Sequence, residues 1–244
     1  MRISTGTAAG TRYHQEDRLC VAKHNGAVLL AVMDGHGGEG AADLVLENIK
    51  TSFERARAGS HGILKALQAT FSDLHSRTKD ERSGSTLSTA YIPRRAKAVY
   101  VAVLGDSPVA IKNPGQPTWS SPEHNARTNT EERQEAEKRG AVFANGYLFD
   151  RHMQHGLQLS RALGDSSLGF LNRKAETFKV PIGPGAIVML ATDGVYDGNA
   201  HTSVPVIERL MGMAEEGADA GALVDDAASI RRTGDNVTVI LCKL

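Results

Sequence analysis

Four of the most apolar runs in this chain stop at, or start from, an aspartate close beside glycine. They are Leu30-Ala31-Val32-Met33-Asp34-Gly35, Val101-Ala102-Val103-Leu104-Gly105-Asp106, Val188-Met189-Leu190-Ala191-Thr192-Asp193-Gly194 and Gly234-Asp235-Asn236-Val237-Thr238-Val239. Runs of this length and β-branched content read as short buried strands. A carboxylate at the lip of a buried strand is costly to desolvate unless something positive meets it. Any one of these motifs taken alone reads as an ordinary Asp-Gly turn. Four in one sheet system can converge at one edge, where hard cations suit carboxylates, water and backbone carbonyls. The residues by themselves thus leave two readings open, a set of turns or a divalent-metal site whose natural use is hydrolysis of a phosphate ester. No Cys/His cluster that would argue for zinc is present.

The rest of the pattern bounds the fold. Apolar, β-branched runs recur at 19–23, 27–33, 88–92, 98–104, 109–112, 156–159, 186–191 and 236–243, each bounded by Gly, Asp, Asn or Pro. Between them, Ala41, Val45, Ile49 and Phe53 recur every fourth position, then Ile63, Leu67, Phe71 and Leu74 after a candidate cap at Ser60. A shorter helix is expected over 130–139, opened by a Thr128-x-x-Glu131 capping box, and two more over 204–216 and 220–231. Helices that arrive in pairs between clustered strands predict an α+β domain of antiparallel sheet covered by helix pairs, a single domain over 1–244. A doubly wound parallel sheet is the alternative. Lys plus Arg and Asp plus Glu each number 28, so no bulk charge marks a nucleic-acid or anionic-membrane partner. The longest apolar stretch, 27–33, is far too short to cross a bilayer, and the first residues carry no signal-peptide pattern, which predicts a soluble, cytoplasmic, monomeric protein. Cys20 and Cys242 read as reduced packing residues, with a disulfide between terminal strands as the lesser possibility.

Seven motifs, in order along nearly the whole chain, resemble those of the metal-dependent protein serine/threonine phosphatases of the PPM family, the type 2C phosphatases. Arg12-Tyr13-His14-Gln15-Glu16-Asp17 is similar to R-x-x-x-E-D, Val32-Met33-Asp34-Gly35-His36-Gly37-Gly38 to V-x-D-G-H-G-G, and Ser83-Gly84-Ser85-Thr86-Leu87 to S-G-S-T-A. Leu104-Gly105-Asp106-Ser107 resembles G-D-S-R, and Leu159-Ser160-Arg161-Ala162-Leu163-Gly164-Asp165 resembles L-S-R-A-L-G-D. Ala191-Thr192-Asp193-Gly194-Val195-Tyr196-Asp197 resembles A-S-D-G-L-W-D, and Asp235-Asn236-Val237-Thr238-Val239 the closing D-N-x-T-V strand.

The resemblance implies a sandwich of two antiparallel sheets with a helical layer on each outer face. It implies that Asp34 bridges two Mg²⁺ or Mn²⁺ ions, that Gly35 ligates one through its carbonyl, and that Asp193, Asp235 and Glu16 complete the shell. Asp106 and Asp197 would join Asp193 around a third ion. Arg12 would grip the substrate phosphate, His36 would be the general acid, and Asp17 would orient Glu16 or a water from behind. The implied reaction is hydrolysis of phosphoserine and phosphothreonine in protein substrates by a metal-activated water, with no covalent phosphoenzyme. A pseudophosphatase serving as scaffold or phospho-reader is the alternative, although Asp34, Asp193 and Asp235 are all retained.

Several residues carry lesser expectations. Arg161 and Asp165 read as scaffold braces, Ser85 and Thr86 as hydrogen-bonding or strand-start residues, and Trp119 as packing. His152-x-x-His155 would space two metal ligands only on a helix, and the glycines around it favour a loop. The charges of 131–139 read as a solvated helix face. Pro108 stands where the family has arginine after G-D-S, and only 27 residues lie between Asp165 and Asp193, so the insertions that often shape substrate choice are short.

Overall fold

The computed structural model of the chain describes residues 1–196 and 203–244; Asp197 falls outside them. Ten strands build the centre, here numbered along the chain: β1 Arg2–Ala8, β2 Arg18–His24, β3 Ala27–Met33, β4 Leu87–Ile92, β5 Ala98–Leu104, β6 Val109–Lys112, β7 Trp119–Ser120, β8 Glu176–Pro181, β9 Ile187–Ala191 and β10 Val237–Lys243. They form two five-stranded antiparallel sheets, one in the order β1-β10-β9-β6-β7 and the other β8-β5-β4-β3-β2. The helices are α1 Gly40–Gly59, α2 Ile63–Thr78, α3 Thr130–Lys138, α4 Val204–Glu215 and α5 Ala220–Asp225, the last continuing into a π turn at Asp226–Ile230.

Strand periodicity explains the layering. In β3, Val28, Leu30 and Val32 face the other sheet, where they meet Val188, Leu190 and Ile240. The alternate residues Leu29, Ala31 and Met33 face α1 and α2, against Val45, Ile49, Phe53, Leu67 and Phe71. On the opposite side, Met189, Val239 and Leu241 turn outward to Ile207, Leu210, Leu223 and Val224 of α4 and α5. The result is the expected helix–sheet–sheet–helix stack. Both faces of the central strands are covered, so they read as unbroken apolar runs, a pattern more typical of parallel sheets.

Other expectations are corrected at the element ends. The first strand, RISTGTA, and β8, ETFKVP, are largely polar and half-exposed, and no apolar run announced them. The stretch expected as a strand over 156–159 pairs only at Gly156–Leu157, within a small sheet with 142–144 and 147–149. Helix α3 is capped by Asn129, whose side chain accepts from the Glu131 and Glu132 amides, while Thr128 Oγ1 donates to Glu123. Ser60 closes α1, and α2 starts after Gly62 with no side-chain cap. Both cysteines are free: Cys242 faces the inter-sheet core, where burial pushes its thiol up to about 11, and Cys20 packs on the helical side of its sheet. The two therefore sit on different layers and form no disulfide. Trp119 packs edge-on against Phe178 at 5.4 Å between ring centres.

Candidate active site

Strand direction brings the four aspartates together. The third and fifth strands both run antiparallel to β4, so Asp34 and Asp106, just past their C-terminal ends, lie at the same edge of that sheet. In the facing sheet β9 and β10 are antiparallel neighbours with Ala191 opposite Val239, which puts Asp193 and Asp235 at one edge. Glu16 and Asp17 arrive beside them because Arg18, the first residue of β2, pairs with Met33. The packing of the two sheets makes these a single acidic rim. Burial raises the Asp34 carboxyl well above the usual carboxylate range, and Asp193, Asp17 and Asp106 push it further. Asp193 is raised by burial and by Asp235, and Asp106 by burial, Asp193 and Glu123. Asp17 is pushed up to about 7 by burial, with Asp193 and Asp235 adding to it and the Thr192 hydroxyl opposing it.

The backbone around this rim is held tightly. Thr86 clamps Asp34 from both directions: its amide donates to the Asp34 carbonyl at 2.9 Å and its Oγ1 accepts from the Asp34 amide at 3.0 Å. Thr86 Oγ1 also shares a hydrogen with Ser107 Oγ at 2.7 Å, tying the Asp34 turn to the Gly105-Asp106-Ser107 turn. Gly35 is required by close approach, since a Cβ there would lie 2.5 Å from the Glu16 carbonyl oxygen. Glu16 takes the Gly38 amide on its Oε1 at 2.9 Å, and its own amide donates to Asn236 Oδ1 at 2.8 Å. Asp17 does not orient Glu16: its Oδ2 accepts from Thr192 Oγ1 at 2.8 Å, next to Asp193, and its buried Oδ1 has no hydrogen-bond partner.

His36 and Arg12 lie at the margins of the rim. His36 Nε2 donates to Asp165, 2.9 Å from Oδ2 and 3.1 Å from Oδ1. The pair fits because Gly84, the strand partner of His36, has no side chain; a Cβ there would lie 2.1 Å from both His36 Nε2 and Asp165 Oδ2. Asp165, expected as a brace, is therefore the residue that orients His36. Arg12 is half-exposed and directs Nη2 to Asp235 Oδ2 at 2.9 Å and Nε to the Gly234 carbonyl at 3.1 Å. Asp106 accepts from Asn125 Nδ2 at 2.8 Å, and the Tyr196 hydroxyl donates to its carbonyl at 2.6 Å. Where arginine was expected, Pro108 contributes a carbonyl that accepts from the Ala191 amide.

Sequence reading missed Glu123, which reaches the field of Asp106 and Asp193 from a loop with no apolar run beside it. It also missed a second charged cluster. His124, Glu132 and Glu176 bring potential ligand atoms within 4.8 Å of one another; among the described residues, no three carboxylates of the acidic rim approach so closely. Arg161 already supplies the cation there, donating to both oxygens of Glu132 and to Glu176 Oε1 at 3.0 Å. Arg161 makes the cluster an ion network, in which His124 Nε2 is buried without a hydrogen-bond partner, 3.9 Å from Glu176. His152 and His155 lie in a loop, where His152 Nε2 accepts from Arg151 Nε at 3.1 Å.

The chain is thus a two-sheet sandwich with helices on both faces and a carboxylate rim at one edge. Residues 3–234 match the family model described as Protein phosphatase 2C, and the chain belongs to that family. It is similar to the probable protein phosphatase 2C 57 of Oryza sativa, 26% identical over 229 residues that cover 86% of this chain and 60% of the relative. It also resembles the protein phosphatase fem-2 of Caenorhabditis elegans, 26% identical across 99% of this chain and 58% of the relative. The chain thus spans less than two thirds of these relatives. Among solved structures, a C. elegans sex-determining protein matches with a TM-score of 0.83 at 23% identity, over 99% of this chain and 64% of that one. The serine-threonine phosphatase 2C from Toxoplasma gondii matches at 0.79 and 21%, over 99% and 94%. Among the described residues no helix is long and apolar enough to cross a membrane.

Proposed function

We propose that this domain hydrolyses phosphoserine and phosphothreonine monoesters in proteins, with Mg²⁺ or Mn²⁺ bound at the acidic rim. The observation that carries the proposal is the convergence of Asp17, Asp34, Asp106 and Asp193 at one edge of the two packed sheets: carboxylates drawn out of water that crowd one another, each raised by burial and by its neighbours, favour a cation strongly. The donor set fits a hard cation, being all oxygen, with the Gly35 carbonyl beside Asp34 and one buried Asp17 oxygen without a partner. Asp34, Gly35, Asp193, Asp235 and Glu16 would hold two ions, and Asp106 with Asp193 and Asp197 a third. When bound, such ions supply Lewis-acid charge and a nucleophilic water at neutral pH.

The chain's own residues supply the rest. Arg12, already turned toward the rim by Asp235, offers a planar fork to two phosphoryl oxygens and stays charged at any working pH. Asp165 accepts a hydrogen bond from His36 Nε2–H, which fixes the ring; with both ring nitrogens protonated, Nδ1–H gives its proton to the departing serine or threonine oxygen and leaves the neutral imidazole, whose Nε2–H stays on Asp165. Thr86 keeps Asp34 in place while charge accumulates on the phosphoryl group. The test is hydrolysis of p-nitrophenyl phosphate and a phosphothreonine peptide with and without Mn²⁺. Metal-dependent turnover is expected, with Asp34→Asn losing about a thousandfold or more in kcat/KM because several kcal/mol of charge stabilisation go with the carboxylate. Metal-independent turnover, or an active Asp34→Asn variant, overturns the reading.

A further inference from the structure

A cavity of about 680 Å³ opens directly beside His36 and extends past Asp165 and Ser166 to Arg82, His155 and Leu157. Unlike the acidic rim, its wall carries one carboxylate and one arginine. The single carboxylate in its wall, Asp165, is buried and committed to His36. The single full positive charge, Arg82, is exposed and makes no hydrogen bond or ion pair among the described residues. Neutral polar groups, Gln154, Ser166 and Ser167, complete the wall.

The backbone of Arg82 is fixed while its guanidinium is free. On one side Ser166 donates to the Glu81 carbonyl at 2.8 Å; on the other Asp165 donates to the Ser83 carbonyl at 2.9 Å, and Ser83 Oγ takes the Ala41 amide at the start of α1. Two residues on, Gly84 pairs with His36. Two residues of extended chain span about 7 Å, so the Arg82 side chain operates one to three peptide positions from a phosphorylated residue placed at His36. The Glu81 carboxylate lies by Gly40, where a Cβ would stand 2.8 Å from its Oε2, and does not line the cavity.

We propose that this cavity is a subsite for an acidic side chain flanking the phosphorylated residue of a peptide substrate, and that Arg82 is the specificity-determining residue that receives it. The proposal rests on the phosphatase reading for the location of the phosphate. A carboxylate finds a bidentate partner in Arg82, whereas a lysine at the same position meets an uncompensated like charge. His155 and Gln154, also in the wall, add ring and amide groups that can hydrogen-bond a carboxylate beside Arg82.

The experiment uses three fluorescent phosphothreonine peptides that differ only in carrying Glu, Ala or Lys at the flanking positions. Affinity is read by anisotropy and kcat/KM by phosphate release with Mn²⁺, for wild type, Arg82→Ala, Arg82→Glu and Arg82→Lys. The wild-type preference for Glu over Lys is expected to be about five- to tenfold, as for a partly exposed ion pair set against a like-charge contact. It should fall to near one in Arg82→Ala, invert in Arg82→Glu and persist in Arg82→Lys. Equal affinities for the three peptides, or a preference that survives Arg82→Glu, overturns the subsite. An Arg82-dependent preference in binding without any turnover sustains the subsite and sinks the phosphatase reading, and turnover without preference does the reverse.

Discussion

Two clusters of buried charge lie in this domain, and they are built on opposite principles. At the rim, Asp17, Asp34, Asp106 and Asp193 face one another with no cation of their own inside the ring, and burial with mutual repulsion raises all four. A short way along the fold, Glu132 and Glu176 are also drawn out of water, yet both are lowered, because Arg161 sits between them with Ser160 on Glu132 and His124 beside Glu176. The second network has its cation within the chain and holds α3, β8 and the Arg161 loop together, with His124 Nε2 its one buried atom without a hydrogen bond. The first is incomplete, which is what a site that must take a cation from solution requires.

Removing the internal cation is the severest test of that contrast. Arg161→Met is expected to cost about 3–5 kcal/mol of unfolding free energy in urea, since Glu132 is left buried without its cation and with only the Ser160 hydroxyl, and replacing Glu132 by Leu in the same chain should recover much of it. A loss below about 1 kcal/mol would show that solvent, and not Arg161, balances the glutamates. The His36–Asp165 pair lies between the two designs. His36→Ala is expected to slow hydrolysis of an alkyl phosphoester by about a hundredfold and of p-nitrophenyl phosphate by much less, because nitrophenolate needs no proton. Equal losses on both substrates would remove His36 from the proton-transfer role.

A smaller effect separates holding the rim from filling it. Thr86→Val keeps the shape but leaves the half-buried Asp34 amide without its acceptor, so the expected cost is about 1–3 kcal/mol, with a roughly tenfold weaker Mn²⁺ affinity by titration calorimetry. The most diagnostic prediction concerns pH. Asp17 titrates near 7 in the fold against an ordinary 3.8, so between those values the folded protein holds a proton that the unfolded chain has lost. Stability of the metal-free protein should therefore be highest below that window and fall, by about 1 kcal/mol per pH unit, as pH rises through it. Asp17→Asn should make the slope shallower by that amount, leaving what Asp34, Asp106 and Asp193 contribute, and saturating Mn²⁺ should reverse it, as followed by thermal unfolding in chelator or metal. A metal-free protein that gains stability from pH 4 to pH 7 would contradict the rim's charge arrangement.

Much of this contrast was legible before any coordinates. The central strands announced themselves as apolar runs, the helices as fourfold spacing, and the rim as aspartates at strand ends, because each is a local pattern. What escaped was of two kinds. Edge strands such as β1 carry polar residues on an exposed side and give no apolar signal. The long-range partners left none either: Arg161 meets Glu132, 29 positions away, across a network that no spacing rule describes, and Thr192 rather than Glu16 receives Asp17.

The sequence by itself determined the layers, the strand ends and the kind of chemistry the motifs resemble, since burial and turn formation act on neighbouring residues. Only the tertiary structure decided which carboxylates would lack a cation and which would have one, and which arginine would be left facing a cleft. Those outcomes depend on distances through space between segments far apart in the chain, and electrostatic energy inside a fold follows those distances and the burial around them.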